Sequence, residues 1–391
     1  MKLKRITSLL LCGLLTFGGV TETTLSVMAS EKHSSLTDAR KVKPTEEVDV
    51  STAIEGKAIP KVAKSTTAKA AGDVYIDAIN FPDYIFAINV FYNFDKNQDG
   101  ILSQTERDNV TKINMGYASI TSFKGVEFFP NLKEFLTART DITSLDLSKN
   151  TKLTNITCIN NTSLTKLTIN KNPNLKELRC YGNKVTSLDL RNSKKLTYLD
   201  CDDNAIKTLK VPNSLKELRA SKNQLSGVTG LSSCKNLTNL NLNNNLFVKL
   251  PSFKSCPKLR YVSFEKNYLT RAEILAKLPG SGSNSNKKWL TSQLKKQNKL
   301  AVPKSLKVAT SGKKALAITW KKASNATGYE VYMSTKKNGT YKKVKTTAAL
   351  SFTHKKLKKG TTYYYKIRSY RKIGKQTVYS NWSGIKSKKS K

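Results

Sequence analysis

Between Asp95 and Glu106 the chain reads Asp-Lys-Asn-Gln-Asp-Gly-Ile-Leu-Ser-Gln-Thr-Glu. Side-chain oxygens stand at the first, third, fifth, ninth and twelfth places, and Gly100 at the sixth permits a sharp turn. A donor set made of oxygen alone, without thiolate or imidazole, suits a hard cation and favours Ca2+ over zinc or copper. Upstream, Tyr84, Ile85, Ala87, Ile88 and Phe91 recur at a spacing that predicts a helix leading into this loop. Other reactive residues are sparse. The chain has two histidines, His33 and His354, and neither belongs to a Ser/His/Asp set. Asp200, Asp202 and Asp203 crowd one turn, but on a repeat surface with no deep cleft to shift their pKa values or exclude water. No phosphate-cradling glycine loop precedes a helix. The residues therefore predict no enzyme.

The elements that position these residues follow from composition and periodicity. Lys and Arg number 69 against 27 Asp and Glu, a net charge of +42 over 391 residues. The balance is uneven: Asp73 to Val110 holds seven acids and two cations, whereas Ala301 to Lys391 holds 24 cations and the single acid Glu330. Met1 to Arg5 is basic, Ile6 to Val20 apolar, and Ser26-Val27-Met28-Ala29 offers small residues for cleavage, so residues 1–29 read as a secretory signal. The apolar stretch is too short for a membrane span. Residues 30–72, rich in Ser, Thr, Ala, Lys and Glu, are expected to be a disordered linker.

The middle of the chain repeats. Leucines at 132, 153, 175, 196, 215, 237 and 259 recur every 19 to 22 residues. Three residues on from each comes another apolar residue, five on comes Thr137, Cys158, Cys180, Cys201, Ala220, Leu242 or Phe264, and eight on from the second leucine onward comes asparagine. The unit Leu-x-x-Leu-x-Cys/Leu-x-x-Asn-x-Leu predicts a short strand whose first, fourth and sixth residues face inward. An asparagine amide turns the chain off that strand and satisfies backbone groups. The second half of each repeat (Ile142 to Leu147, Val185 to Leu190) alternates apolar and polar and is expected to run extended along the convex side. Cys158, Cys180 and Cys201 fall in one inward column, and Cys234 and Cys256 share a position three before the repeat leucine. The period explains the cysteines as buried thiols without disulfides. Residues 112–270 resemble the short leucine-rich repeats of secreted bacterial proteins of the internalin kind, which implies a solenoid.

Two further resemblances flank it. The loop from Asp95 matches the EF-hand pattern, which implies Ca2+ held by Asp95, Asn97, Asp99, Ser103 and Glu106 through side chains and by Ile101 through its carbonyl. No second such loop is visible, so residues 73–111 are expected to be a rigid N-terminal cap and not a sensor. After a C-terminal cap and linker at 271–301, residues 302–391 resemble a fibronectin type III domain. Ala315 to Trp320 alternates as a half-buried strand ending in a core tryptophan, and Leu357-Lys358-Lys359-Gly360-Thr361-Thr362-Tyr363 matches that family's corner motif. The expected fold is mainly β: a solenoid with a small helical calcium-binding cap, followed by a β-sandwich.

Function is expected to be recognition. Positions two, four and six after each repeat leucine point away from the core onto the concave face. Its central repeats present Arg179, Tyr181, Tyr198, Asp200, Asp202 and Arg219, residue types suited to a protein or glycan ligand. The basic C-terminal domain is expected to bind anionic cell-wall polymers outside the cell, where intracellular nucleic acid is the wrong partner. The competing expectation is a structural wall or matrix component whose repeats act as a spacer.

Overall fold

The computed structural model describes residues 72–391 apart from 118, 170 and 279–286. The expected signal segment and all of the linker but Gly72 lie outside the described residues, as does His33.

The chain enters through β1 (Val74–Tyr75), α1 (Tyr84–Asn93), β2 (Ile101–Leu102) and α2 (Gln104–Asn109). Asp83 starts α1 by accepting from the N–H of Phe86 at 2.9 Å, and Phe86, Ala87, Val90 and Phe91 are buried on the end of the solenoid core. Asp83 also ties the cap to the repeats, since its second carboxylate oxygen accepts from the N–H of Thr121 at 2.7 Å.

The inner face of the solenoid is one parallel sheet of eight strands. In order along it stand β3 (Lys112–Gly116), β4 (Glu134–Ala138), β6 (Asn155–Ile159), β8 (Glu177–Arg179), β10 (Tyr198–Asp200), β12 (Glu217–Arg219), β13 (Asn239–Asn241) and β14 (Tyr261–Ser263). The convex strands pair separately: β5 (Ser144–Asp146) with β7 (Lys166–Thr168), and β9 (Ser187–Asp189) with β11 (Thr208–Lys210). The extended convex side is as the alternation predicts. Every repeat leucine except the partly buried Leu259 is buried, and Leu178, Leu199 and Leu218 lie level on neighbouring strands. Registering one apolar column on the next is what buries a continuous core in so thin a body.

The asparagine column does what its spacing predicts. Each side-chain oxygen accepts a backbone N–H of the preceding repeat, as in Asn183 to Asn161 at 2.8 Å and Asn223 to Ile206 at 2.9 Å. From Asn183 onward each amide nitrogen donates to strand carbonyls, as Asn183 does to Cys158 and Cys180 at 2.8 Å, whereas that of Asn161 is buried without a partner. The five cysteines of the repeats are free and buried. Burial pushes the thiol of Cys158 up to about 12, so these sulfurs act as small apolar groups. Helices α3 (Arg271–Lys277) and α4 (Lys287–Lys295) close the far end, with Ile274 and Leu290 joining the core and Trp289 edge-on to Phe264 at 5.7 Å.

The C-terminal sandwich has its own core. One sheet joins β15 (Lys304–Thr310), β16 (Leu316–Lys321) and β19 (Ser351–His354); the other joins β17 (Gly328–Ser334), β18 (Lys342–Thr347), β20 (Thr362–Ile373), β21 (Gln376–Tyr379) and β22 (Lys386–Lys389). Trp320 packs on Tyr329 at 5.4 Å. The corner tyrosine is in place, Tyr363 accepting from the N–H of Lys358 at 2.9 Å. The final lysines do not trail away: β22 pairs with β20, Lys386 opposite Tyr365 and Lys389 opposite Thr362. Lysine along an edge strand discourages pairing with another chain.

Candidate functional site: the cap loop and the inner face of the repeats

The cap loop is closed by its own N–H groups. Asp95 is 1% exposed and accepts from Gly100 at 2.8 Å and Asp99 at 3.3 Å. Glu106 reaches back across the loop to the N–H of Lys96 at 2.7 Å and to the N–H and hydroxyl of Ser103 at 2.9 and 2.8 Å. It thereby forms a capping box with Ser103 at the start of α2. Asp99 accepts from the N–H of Ile101 and from the amide of Asn97. The six positions expected to hold a cation are thus gathered in one loop.

Electrostatics tests whether that loop fits a cation. Burial raises the carboxyl pKa of Asp95, and the charges of Asp99 and Glu106 add to the rise against the pull of the Gly100 N–H. A buried carboxylate crowded by two others is an arrangement that a divalent cation relieves. Burial opposes ionisation of Glu106 too, but hydrogen bonds from Ser103, Lys96 and Asn97 outweigh it and hold the group below its ordinary value. Among the described residues no cluster of three or more His, Cys, Asp or Glu side chains is drawn together as a ligand set. Cation binding at this loop therefore requires its carboxylates to turn from N–H groups toward a common centre.

Sequence reasoning missed one part of this loop. β2, at its seventh and eighth positions, pairs antiparallel with β1, Tyr75 opposite Ile101 and Val74 opposite Leu102. Ile76 adds a bond to the Gly100 carbonyl at 2.9 Å. The strand that steadies the loop comes from the chain just upstream, where two extended residues carry no periodic signal.

On the inner face, register builds a lattice from three strands. Glu177, Tyr198 and Glu217 stand side by side, and so do Arg179, Asp200 and Arg219. Arg179 pairs with Glu177, and Arg219 with Glu217 at 2.7 Å. The Arg179 guanidinium lies over the Tyr198 ring, 4.7 Å from its centroid. Burial pushes the Tyr198 hydroxyl up to about 12, with Asp200 adding to the shift.

Asp200 and Asp202 are 7% and 5% exposed. They hold turns in place, Asp200 accepting from the N–H of Asp202 and Asp202 from that of Ser221. The groups left facing outward are Arg179, Tyr181, Tyr198 and Arg219, each half-buried. Glu177 and Glu217 stand in the outward column two after the repeat leucine, as the alternation predicts. Their pairing with the arginines is the part sequence reasoning missed, and the repeated triplet Glu-Leu-Arg at 177–179 and 217–219 was the available signal.

Comparison with known proteins agrees with both folds. Residues 301–385 match the Fibronectin type III domain family, and residues 173–213 match the family of Leucine Rich repeats in two copies. No curated protein matches the chain. Among solved structures, FN3tt is 23% identical over 24% of this chain and 95% of its own, with a TM-score of 0.21. An Fn3-like protein from Clostridium thermocellum is 25% identical over 23% of this chain and 92% of its own, also at 0.21. Internalin C2 from Listeria monocytogenes is 22% identical over 56% of this chain and 97% of its own, at 0.40. Among the described residues no helix is long and apolar enough to cross a membrane. Both matched families are typically non-enzymatic binding domains.

Proposed function

We propose that this is a secreted, surface-associated bacterial binding protein. The inner face of its repeats recognises an extracellular protein or glycan, and its basic C-terminal domain retains it on anionic wall polymers. The observation carrying the first part is the half-buried patch of Arg179, Tyr181, Tyr198 and Arg219 on a rigid sheet. Its two arginines are held by Glu177 and Glu217 before any ligand arrives. Preorganised aromatic and guanidinium groups lose little side-chain freedom on binding, and such groups dominate interface energies. Retention is supported by the charge of the C-terminal domain, whose one acid is internally spent. Glu330 is 5% exposed and accepts from Arg368 at 2.7 Å and Lys343 at 3.0 Å. In this reading one Ca2+, held by Asp95, Asn97, Asp99, Ser103, Glu106 and the Ile101 carbonyl, neutralises and stiffens the cap.

The test is a pair of substitutions in the intact chain. Tyr198→Ala and Arg179→Ala each weaken binding to a partner by about 1–3 kcal/mol, with melting unchanged. Convex-side Lys166→Glu leaves affinity as it was. A larger loss from the convex change contradicts the assignment.

A further inference from the structure

Seven turns lead into the inner strands that carry the repeat leucines: residues 128–133, 149–154, 171–176, 192–197, 211–216, 233–238 and 255–260. Together they contain eleven Lys or Arg residues and no Asp or Glu. All eleven are exposed. Because β4 to β14 of the inner sheet stack in unbroken parallel order, these turns lie one above another along a single edge. At about 4.8 Å per strand, the row spans roughly 30 Å.

The row is staggered. One residue after the repeat leucine, Lys133, Lys176 and Lys216 alternate with threonines at 154, 197 and 238. The threonine hydroxyls donate to the lysine carbonyls of the preceding repeat at 3.1, 3.3 and 3.1 Å. One residue before the leucine, Lys152 and Lys195 project from the intervening repeats, each bonded through Nζ to the side-chain oxygen of Asn131 or Asn174 below it. Lys258 is held in the same way by Asn236 at 2.8 Å. An amide oxygen orients an ammonium group without neutralising it and leaves two of its three N–H donors free.

Other faces of the solenoid offset many of their cations. Lys112 pairs with Glu134, Arg179 with Glu177, Arg219 with Glu217, Lys210 with Asp189 and Lys222 with Asp203. The glutamates that follow edge lysines in sequence, at 134, 177 and 217, are therefore turned to the inner face. None of the eleven edge cations is paired with a described carboxylate. Cations within about a Debye length of each other repel, so this row works against the folded state by itself.

We propose that this edge is a track for a linear, base-free polyanion, a phosphodiester or sulfated polymer laid along the solenoid axis. The inner-face patch and the C-terminal domain are separate surfaces, and the proposal rests on neither. Lysine, which supplies ten of the eleven cations, serves phosphate or sulfate as a point charge. The edge exposes no aromatic ring on which bases would stack; its two aromatics, Phe128 and Phe129, are half-buried and buried.

The intact chain, titrated with poly(glycerol phosphate), heparin fragments and single-stranded DNA of matched charge, tests this. The edge variant Lys152→Gln/Lys176→Gln/Lys195→Gln/Lys216→Gln is compared with the convex variant Lys166→Gln/Lys184→Gln/Lys207→Gln/Lys249→Gln, which loses the same charge. Both are also made in a Lys386→Gln/Lys388→Gln/Lys389→Gln background. In that background the edge variant binds the base-free polymers at least ~10-fold more weakly near 0.1 M salt. Its plot of log affinity against log salt is shallower by about 3, while the convex variant stays within about twofold of its parent. Affinity rises with polymer length up to roughly 30 Å. A preference for the phosphate or the sulfated polymer then names the source. Equal losses in the two variants, no loss in the edge variant, or tighter binding of DNA than of either base-free polymer overturns the proposal. The C-terminal substitutions in an otherwise native chain report separately on retention by that domain, which fails if they leave binding unchanged.

Discussion

Asn183 satisfies three backbone groups with one side chain, accepting from the N–H of Asn161 and donating to the carbonyls of Cys158 and Cys180. Replacing it with leucine strands those groups inside the solenoid, where each unpaired one costs about 1–3 kcal/mol. Asn183→Leu should therefore lower the unfolding free energy by about 3 kcal/mol or more in denaturant titration; an unchanged midpoint would mean that water takes over these bonds. This column was legible because its residue type recurs with the period. A second column was only half seen, through Cys234 and Cys256. Asn150 and Asn172 occupy the same place, three before the leucine, and donate to backbone carbonyls of the preceding repeat. A third column left no trace in residue type. The residue just before each asparagine position is left-handed in every repeat, with φ of 53° at Arg139, 55° at Asn160, 72° at Gly182, 56° at Asp203 and 52° at Lys222. Several polar residues tolerate that backbone at modest cost, so geometry repeats there while identity does not.

The cap shows what a motif discloses about an element and what it leaves out. The twelve-residue pattern named the loop and its glycine turn, and the apolar spacing upstream named the helix before it, all of which the structure contains. It did not disclose β1, because a two-residue strand is specified by its partner and not by its own sequence. Nor did it disclose that Glu106 caps α2 while facing the loop. If the loop takes up Ca2+, the intact chain melts at a higher temperature with millimolar Ca2+ than with chelator, by an amount that follows RT ln(1 + [Ca2+]/Kd). Glu106→Gln should abolish that difference, since a neutral amide is a weaker ligand for a hard cation. Equal melting of metal-free protein with and without Ca2+ would contradict the calcium reading and leave the fold untouched. In the C-terminal domain the corner tyrosine and core tryptophan were readable from their motifs. The pairing of β22 was not, because its Lys-Ser-Lys-Lys run looks like a solvated tail until an edge of β20 is there to receive it.

Across the whole molecule, two hydrophobic cores carry two kinds of surface. The repeat core and the sandwich core are separate clusters; the inner face of the first is locally charge-matched, whereas the second is strongly basic. The division was visible in the charge distribution of the sequence. Which repeat residues lie in the outward columns was readable from the period-2 alternation, but how far each is exposed depends on packing that only the folded sheet displays: Asp200 and Asp202, in those columns, are 7% and 5% exposed. If the inner face binds a specific extracellular partner, as proposed, that partner can be trapped in place. The most direct test replaces Tyr198 with the photo-crosslinking residue p-benzoylphenylalanine, with a matching probe at Lys166 on the convex side. Each protein is irradiated on intact cell surfaces at moderate and at high salt. One dominant adduct is expected from position 198, persisting at high salt, absent from position 166 and lost when unlabelled native protein competes. No adduct at position 198, or the same adducts from both positions, would contradict the proposal.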